Sequence, residues 1–376
     1  MKDFIPVCEP LLNGNELKYV DDAVRTGWIS SSGDYVNKFE SKFAEYVQSK
    51  YGIAVCNGTV ALHLALVALG IGKNDEVIIP SFTMIATAFA VCYTGATPVF
   101  VDADKETWNI DVTKIEEKIT KNTKAIIPVH IFGNPCNMDE ISKIAKKYNL
   151  FVIEDAAEAH GAEYNGKKIG SFSDIACFSF FANKNLTTGE GGMCITNNEE
   201  YNKLCRYYKN MCFPLDGTRN YMHENIGFNY RMSNIHAAIG LAQVEKADEY
   251  RKLRIRNAQL YKKYLENCEG IIFQRDTPNS LNVNWMNTII IDDKKYGHTK
   301  DELILYLKSN GIDTRLLFKS MNRQPSLRKF GCDCSGAYPI TDWLSDNGFY
   351  LPSGSNLSEE EISKICSLIK QFKKTL

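Results

Sequence analysis

Four short runs rich in Val, Ile and Phe constrain this chain more than any other feature. They lie near residues 76–80, 98–102, 125–130 and 151–155. Each is almost continuously apolar, the pattern of a strand covered on both faces. Helical stretches separate them, so successive runs are expected to form βαβ units in a mostly parallel sheet. The link from Phe180 to Gly192 is too short for a helical crossover, and the strand after Gly192 is expected to run antiparallel to its neighbour. Before this core, residues 15–26 and 36–49 read as amphipathic helices. Beyond about Gln243 the pattern changes. A charged helix is expected over residues 247–267, a strand over 284–291, and helices over 300–309 and 358–372. The last opens with Ser358 and Glu361 at capping-box spacing. The chain therefore divides into a large α/β domain, residues 1–245, and a smaller α+β domain, residues 246–376.

The bulk numbers exclude several classes. A chain of 376 residues with a net charge of −1 and no long block of one sign offers nothing to nucleic acid or a membrane surface. No apolar run is long enough to span a bilayer, and MKDFIPVCEP lacks the apolar core of a signal peptide. The twelve cysteines are scattered without a CxxC pair, and no histidine near Cys332 and Cys334 completes a zinc site. Free thiols fit a reducing compartment. The expectation is a cytoplasmic enzyme without a metal.

The chemistry centres on FSFFANKNLTTGEGGMCIT, residues 178–196. An apolar strand ends just before Lys184, and a glycine-rich polar segment follows. A lysine held at the end of a buried strand loses solvation, which lowers its pKa and makes it a nucleophilic amine. Taken alone, it reads equally as a surface lysine opening a loop. Upstream, Asn57-Gly58-Thr59 stands between a strand and a helix, where free backbone N–H groups suit a phosphate. An ordinary helix cap has the same appearance. In IEDAAEAHG, Asp155 falls at the carboxyl end of a buried strand, where α/β sheets bind ligands. A carboxylate there can hold a protonated ring nitrogen, or simply cap the next helix. Glu158 is three residues further on. Asn229 and Arg231, in GFNYRMSNIHAAIGLAQ, precede a helix and can donate to phosphate. In combination, a phosphate cradle, an acid for a pyridine nitrogen and a Schiff-base lysine are the parts that pyridoxal phosphate requires.

WISSSG (28–33), NGTVALHLAL (57–66), IEDAAEAHGA (153–162), SFFANKNLTTGEGGM (179–193) and GFNYRMSNIHAAIGLAQ (227–243) carry a resemblance over essentially the whole chain. It resembles the DegT/DnrJ/EryC1/StrS sugar aminotransferase family, which has the type I pyridoxal-phosphate transferase fold of aspartate aminotransferase. The likeness is greatest to members that form GDP-perosamine. The resemblance implies that Lys184 is the Schiff-base lysine and proton shuttle, that Asp155 holds the pyridine nitrogen and that Glu158 lies near the ring hydroxyl. It implies that Gly58, Thr59 and Ser179 bind the cofactor phosphate, with Asn229 reaching it from the other subunit of a homodimer with shared sites. Trp28, Ser30, Arg231 and Arg315 are implied to face substrate. The implied reaction moves an amino group from L-glutamate to the keto group of a nucleotide-linked 4-keto-6-deoxy sugar, for surface polysaccharide synthesis.

Two segments depart from the family pattern. Met84 stands in PSFTMIATAF where an aromatic ring is expected over the cofactor. In TRLLFKSMNRQP, Asn322 replaces an expected histidine, and Lys319 and Arg323 add two cations. Those cations suggest an alternative acceptor, a small phosphorylated ketone such as dihydroxyacetone phosphate. A solvated surface loop would look the same. The related 3-dehydratases carry histidine in place of the lysine, so Lys184 argues against that reaction. Intact Lys184 and Asp155 also argue against a non-enzymatic regulator.

Overall fold

The computed structural model describes residues 4–218 and 221–373. The apolar runs pair as a seven-stranded sheet of β1 (Tyr51–Val55), β2 (Glu76–Pro80), β3 (Thr97–Val101), β4 (Thr123–Ile126), β5 (Phe151–Asp155), β6 (Ile175–Ser179) and β7 (Gly192–Thr196), in the order β1-β7-β6-β5-β4-β2-β3. The strands β3, β2, β4, β5 and β6 are parallel. Only β7 reverses, pairing antiparallel with both β6 and β1. β4 stops at Ile126, earlier than its apolar run suggests. Pro128 has no N–H to donate to a ladder, and beyond it Val129 keeps only an isolated bridge to Asp155.

Helices cover both faces of this sheet. α1 (Glu16–Arg25) and α2 (Asp34–Tyr46) pack against α7 (Asn234–Glu245). The crossovers after β1, β2 and β4 are α3 (Gly58–Ala68), α4 (Ala86–Tyr93) and α5 (Met138–Tyr148). Two links differ from the expected βαβ pattern. Residues between β3 and β4 form two short 3-10 turns. The β5–β6 link winds through Gly161, Gly166 and Gly170, all at positive φ, a conformation that interrupts a helix. α6 (Glu199–Lys209) follows β7.

A second, antiparallel sheet holds β8 (Ile271–Phe273), β9 (Asn287–Ile291), β10 (Arg315–Leu316) and β11 (Gly348–Leu351), in the order β8-β9-β11-β10. Its helices are α8 (Ala247–Leu265), α9 (Lys300–Ser309), α10 (Pro325–Phe330), α11 (Pro339–Asn347) and α12 (Glu359–Lys373). The capping box of α12 forms as its sequence spacing requires: Glu361 N–H donates to Ser358 Oγ at 3.1 Å, and Ser358 N–H donates to Glu361 Oε2 at 2.9 Å. β9 begins three residues later than its apolar run, because Asn284 turns the chain at φ 48°. The N-terminal segment joins this layer. Ile5 N–H donates to the Gly311 carbonyl at 2.8 Å, and Ile5 belongs to the apolar cluster of α8, α9 and α12.

One buried carboxylate ties the layers together. Asp102, just past β3, accepts from Thr341 N–H at 2.9 Å, Thr341 Oγ1 at 2.8 Å and Ile340 N–H at 3.2 Å, so it caps α11. Removing it strands buried donors and a helix start. Asp102→Ala is expected to cost about 2–4 kcal/mol in urea denaturation, and Asp102→Asn less.

Candidate active site

The carboxyl ends of β5 and β6 open into a cavity of about 720 Å³ roofed by the second sheet. That is the crevice where ligands bind in open α/β folds, and the volume suits a cofactor together with a substrate. Gly58, Thr59, Met84, Asp155, Glu158, Ser179, Lys184 and Arg315 all line it.

At one end lies the start of α3. Asn57 is its N-cap, and its side chain accepts from Val60 N–H at 3.0 Å. The Gly58 and Thr59 N–H groups precede any helical carbonyl that could receive them. Ser179 sits directly against this turn. A Cβ on Gly58 would come within 2.7 Å of Ser179 Cβ, and one on Gly192 within 2.3 Å of the Asn57 carbonyl oxygen. Side chains at either position would push the cradle apart.

Asp155 forms the floor. It accepts from Thr87 Oγ1 at 2.8 Å and Ala157 N–H at 3.3 Å. Burial nevertheless raises its pKa, opposed by those two hydrogen bonds and the nearby Lys184 charge. Among the described residues no cation lies within ion-pair distance of it. A carboxylate so placed fits a ligand that brings its own positive charge.

Lys184 and Glu158 form a loose buried pair, with Nζ 4.0 Å from Oε1. Burial lowers the lysine pKa, and Glu158, Asp155 and Cys8 partly restore it. Burial pushes Glu158 up to about 7, opposed by Lys184 and by the Phe132 N–H, which donates to Oε2 at 2.6 Å. Phe132 holds a left-handed φ of 57° to present that N–H. Met84 is 47% exposed at the rim, its sulfur accepting from Ala86 N–H at 3.0 Å.

Several cavity residues have no counterpart in the sequence reading. The Trp285 ring covers Lys184 with its centroid 3.8 Å from Nζ. Tyr350 Oη and Asn183 Oδ1 line the cavity, buried and without a hydrogen-bond partner among the described residues. Polar atoms so placed can be satisfied by water or a ligand. Thr87 lies in the first turn of α4, and its hydroxyl also meets Thr83 Oγ1 at 3.0 Å. Trp285 and Tyr350 arrive from the second sheet and leave no local signal.

The other predicted residues lie elsewhere in this chain. Arg231 lines a second cavity of about 420 Å³ with Ser31, Ser32 and Lys209, and donates to Asn210 Oδ1 at 2.7 Å. Asn229 bridges to Asn210 beside it. The Trp28 carbonyl accepts from Asn234 Nδ2 at 2.6 Å, and the Ser30 carbonyl from Asn234 N–H at 2.8 Å. Lys319 and Arg323 also lie apart from the site. They do not line the main cavity. Arg323 pairs with Asp342 at 2.9 Å and Asp346 at 2.8 Å, and Lys319 with Asp346 at 3.3 Å. The carboxylates of α11 neutralise both cations. Asn322 donates to the Gly336 carbonyl at 3.3 Å, a loop contact.

The model of the DegT/DnrJ/EryC1/StrS aminotransferase family matches residues 10–370. The GDP-perosamine synthase of Escherichia coli O157:H7 is 44% identical over 369 residues, covering 98% of both chains. That of Caulobacter vibrioides is 44% identical over 368 residues, again covering 98% of both. Among solved structures, DesV of S. venezuelae in complex with a ketimine intermediate is 30% identical with a TM-score of 0.90, covering 96% of this chain and 95% of that one. With cavity, lysine and carboxylate already in place, these matches assign the fold: the chain belongs to the DegT/DnrJ/EryC1/StrS aminotransferase family.

Proposed function

We propose that this chain moves an amino group from L-glutamate to the keto carbon of a nucleotide-linked 4-keto-6-deoxy sugar, with pyridoxal phosphate as cofactor. The observation that carries the proposal is one cavity holding a buried amine, a buried carboxylate with no cation within ion-pair distance among the described residues, and the N-terminal turn of α3. The identity to GDP-perosamine synthases over the full chain supports a GDP-linked sugar as acceptor. The small phosphorylated ketone rested on Lys319 and Arg323, whose pairing with Asp342 and Asp346 leaves it without support.

When bound, pyridoxal phosphate supplies an aldehyde that accepts amines and a ring that withdraws electrons from the bond being deprotonated. The Gly58 and Thr59 N–H groups and the Ser179 hydroxyl would hold its phosphate at the positive end of α3. Asp155 supplies the counter-charge to a protonated ring nitrogen. Lys184 Nζ, its pKa lowered by burial, would take a proton from the substrate carbon and return it. Glu158 stands 4.0 Å from that amine and would face a ring hydroxyl. Met84 packs where the family places an aromatic ring, as a thioether can. Arg315 at the cavity mouth suits a sugar diphosphate.

The active unit in this proposal is a homodimer. Leu215, Tyr221 and Ile226 are 53%, 73% and 89% exposed on the segment leading to Asn229, an apolar surface that a second copy would cover. That copy would bring Asn229 to the phosphate cradle, and Arg231, Trp28 and Ser30 toward the substrate. Twelve free cysteines accord with a cytoplasmic setting.

A single-turnover experiment tests the acceptor. Enzyme charged with glutamate and freed of excess is mixed with GDP-4-keto-6-deoxymannose or dihydroxyacetone phosphate, and the cofactor absorbance is followed. Rapid recovery with the nucleotide sugar is expected. Recovery with the triose phosphate alone would overturn the acceptor assignment. Lys184→Ala is expected to abolish turnover while leaving the chain folded, and Asp155→Asn to slow it by about two or more orders of magnitude. Lys319→Ala with Arg323→Ala is expected to leave the acceptor KM within about twofold, because exposed ion pairs contribute little.

The Glu158 shift has a consequence for cofactor-free stability. Its folded pKa lies above the unfolded value, so its contribution is fully present below about pH 4.5 and lost as pH rises through about 7. Wild type is therefore expected to lose ground to Glu158→Gln by at most about 3 kcal/mol between pH 4.5 and 8 in urea denaturation. A pH-independent difference would show that the carboxyl is ionised throughout.

A further inference from the structure

The indole of Trp285 is only 4% exposed and makes two contacts with the lysine segment. Its ring centroid lies 3.8 Å from Lys184 Nζ, and its Nε1–H donates to the Asn183 carbonyl at 2.9 Å. The indole is braced from behind. Arg254, 2% exposed, donates from Nη1 to the Trp285 carbonyl at 3.0 Å and from Nη2 to Cys8 Sγ at 3.3 Å. Cys8 Sγ in turn lies 3.5 Å from the same Asn183 carbonyl. Arg254 also donates to Ser355 Oγ at 2.9 Å and to the Ser353 carbonyl. A buried guanidinium of the second layer thus sets both groups that grip the backbone one residue before the catalytic lysine.

We propose that Trp285 is a positioning residue: its ring face holds the Lys184 amine, as ammonium, over the cavity whenever the lysine is not covalently engaged. The inference rests on the amino-transfer reading above, in which the lysine must alternate between a bonded and a free state. A free amine on a four-carbon stem has many rotamers, and a neutral one would drift from the reacting carbon. The negative face of an indole is the strongest aromatic partner for a cation and discriminates ammonium from neutral amine. The other groups facing the amine are Glu158 and Asp155 from the β5 link and Cys8 from the N-terminal segment, all of which favour the ammonium. His160, buried among Phe43, Phe178 and Phe180, is held neutral, its pKa pushed down to about 3 by burial and by Lys184. Among the described residues only Trp285 meets the amine with an aromatic face, which gives it a direction as well as a charge preference.

The test replaces Trp285 alone with mono-, di- and tetrafluorotryptophan, which weaken the negative face while keeping the shape. Full-length protein is treated with glutamate so that the lysine is free. Modification of Lys184 by an amine-reactive reagent is then followed by peptide mass spectrometry across about pH 6 to 10. Stepwise fluorination is expected to lower the apparent Lys184 pKa by about one unit in all, a roughly tenfold change in the amine-to-ammonium ratio. Trp285→Phe should keep most of the wild-type value and Trp285→Leu should not. An unchanged pKa along the isosteric series overturns the proposal, whatever the fold of the leucine variant. A separate arm reduces wild-type protein with borohydride after adding pyridoxal phosphate. Cofactor fixed on the Lys184 peptide upholds the amino-transfer reading independently, and its absence there counts against that reading and not against the contact with Trp285.

Discussion

Burial of the Lys184 amine is the constraint on which the rest of the site depends. An ammonium in water is a poor nucleophile and base at neutral pH, and here desolvation brings its pKa down. Desolvation alone would leave an unstable charge, so the fold supplies a loose compensation. Glu158 stands at 4.0 Å, beyond a tight ion pair, and is itself pushed up to about 7. A closer carboxylate would lock the amine as ammonium, and none at all would leave it neutral. The separation keeps both states within reach.

That balance requires two layers to meet. The parallel sheet delivers Asp155 and Ser179 at its carboxyl edge and Lys184 just beyond it, and reversal of β7 brings Gly192 against the start of α3. The second sheet supplies what closes the cavity: Trp285, Tyr350 and Arg315. Asp102 holds the layers in register, and Arg254 ties the second layer to the N-terminal segment behind Trp285, each deeply buried and each satisfied by groups distant in the chain. Buried polar links of this kind contribute specificity of arrangement, since a shifted layer would leave their partners unpaired.

The two cations of the 319–323 segment show how charge in a sequence differs from charge in a structure. Read along the chain, Lys319 and Arg323 look like an added anion site. In the fold they face Asp342 and Asp346, one and two turns along a helix that begins after an intervening loop. Their charge is spent within the second layer. Met84 is the opposite case: the family resemblance points to it at the cofactor, and it lines the cavity rim.

Lys184, Asp155, Glu158 and the Gly58 turn were legible because their signals are local. In each case a buried strand and the residues at or just past its end lie within ten residues of one another, and backbone geometry converts that spacing into a direction. The parallel order of the sheet and the reversal at β7 follow from the same kind of local evidence. Trp285, Tyr350, the Phe132 N–H and the pairing of Lys319 and Arg323 were decided by tertiary structure alone. Lys184 and Trp285 are a hundred residues apart, and only the packing of one sheet over the other sets the distance between them. The amino-acid sequence thus determined which groups could do the chemistry. The fold decided how far apart they stand, and with that distance how their protons are shared.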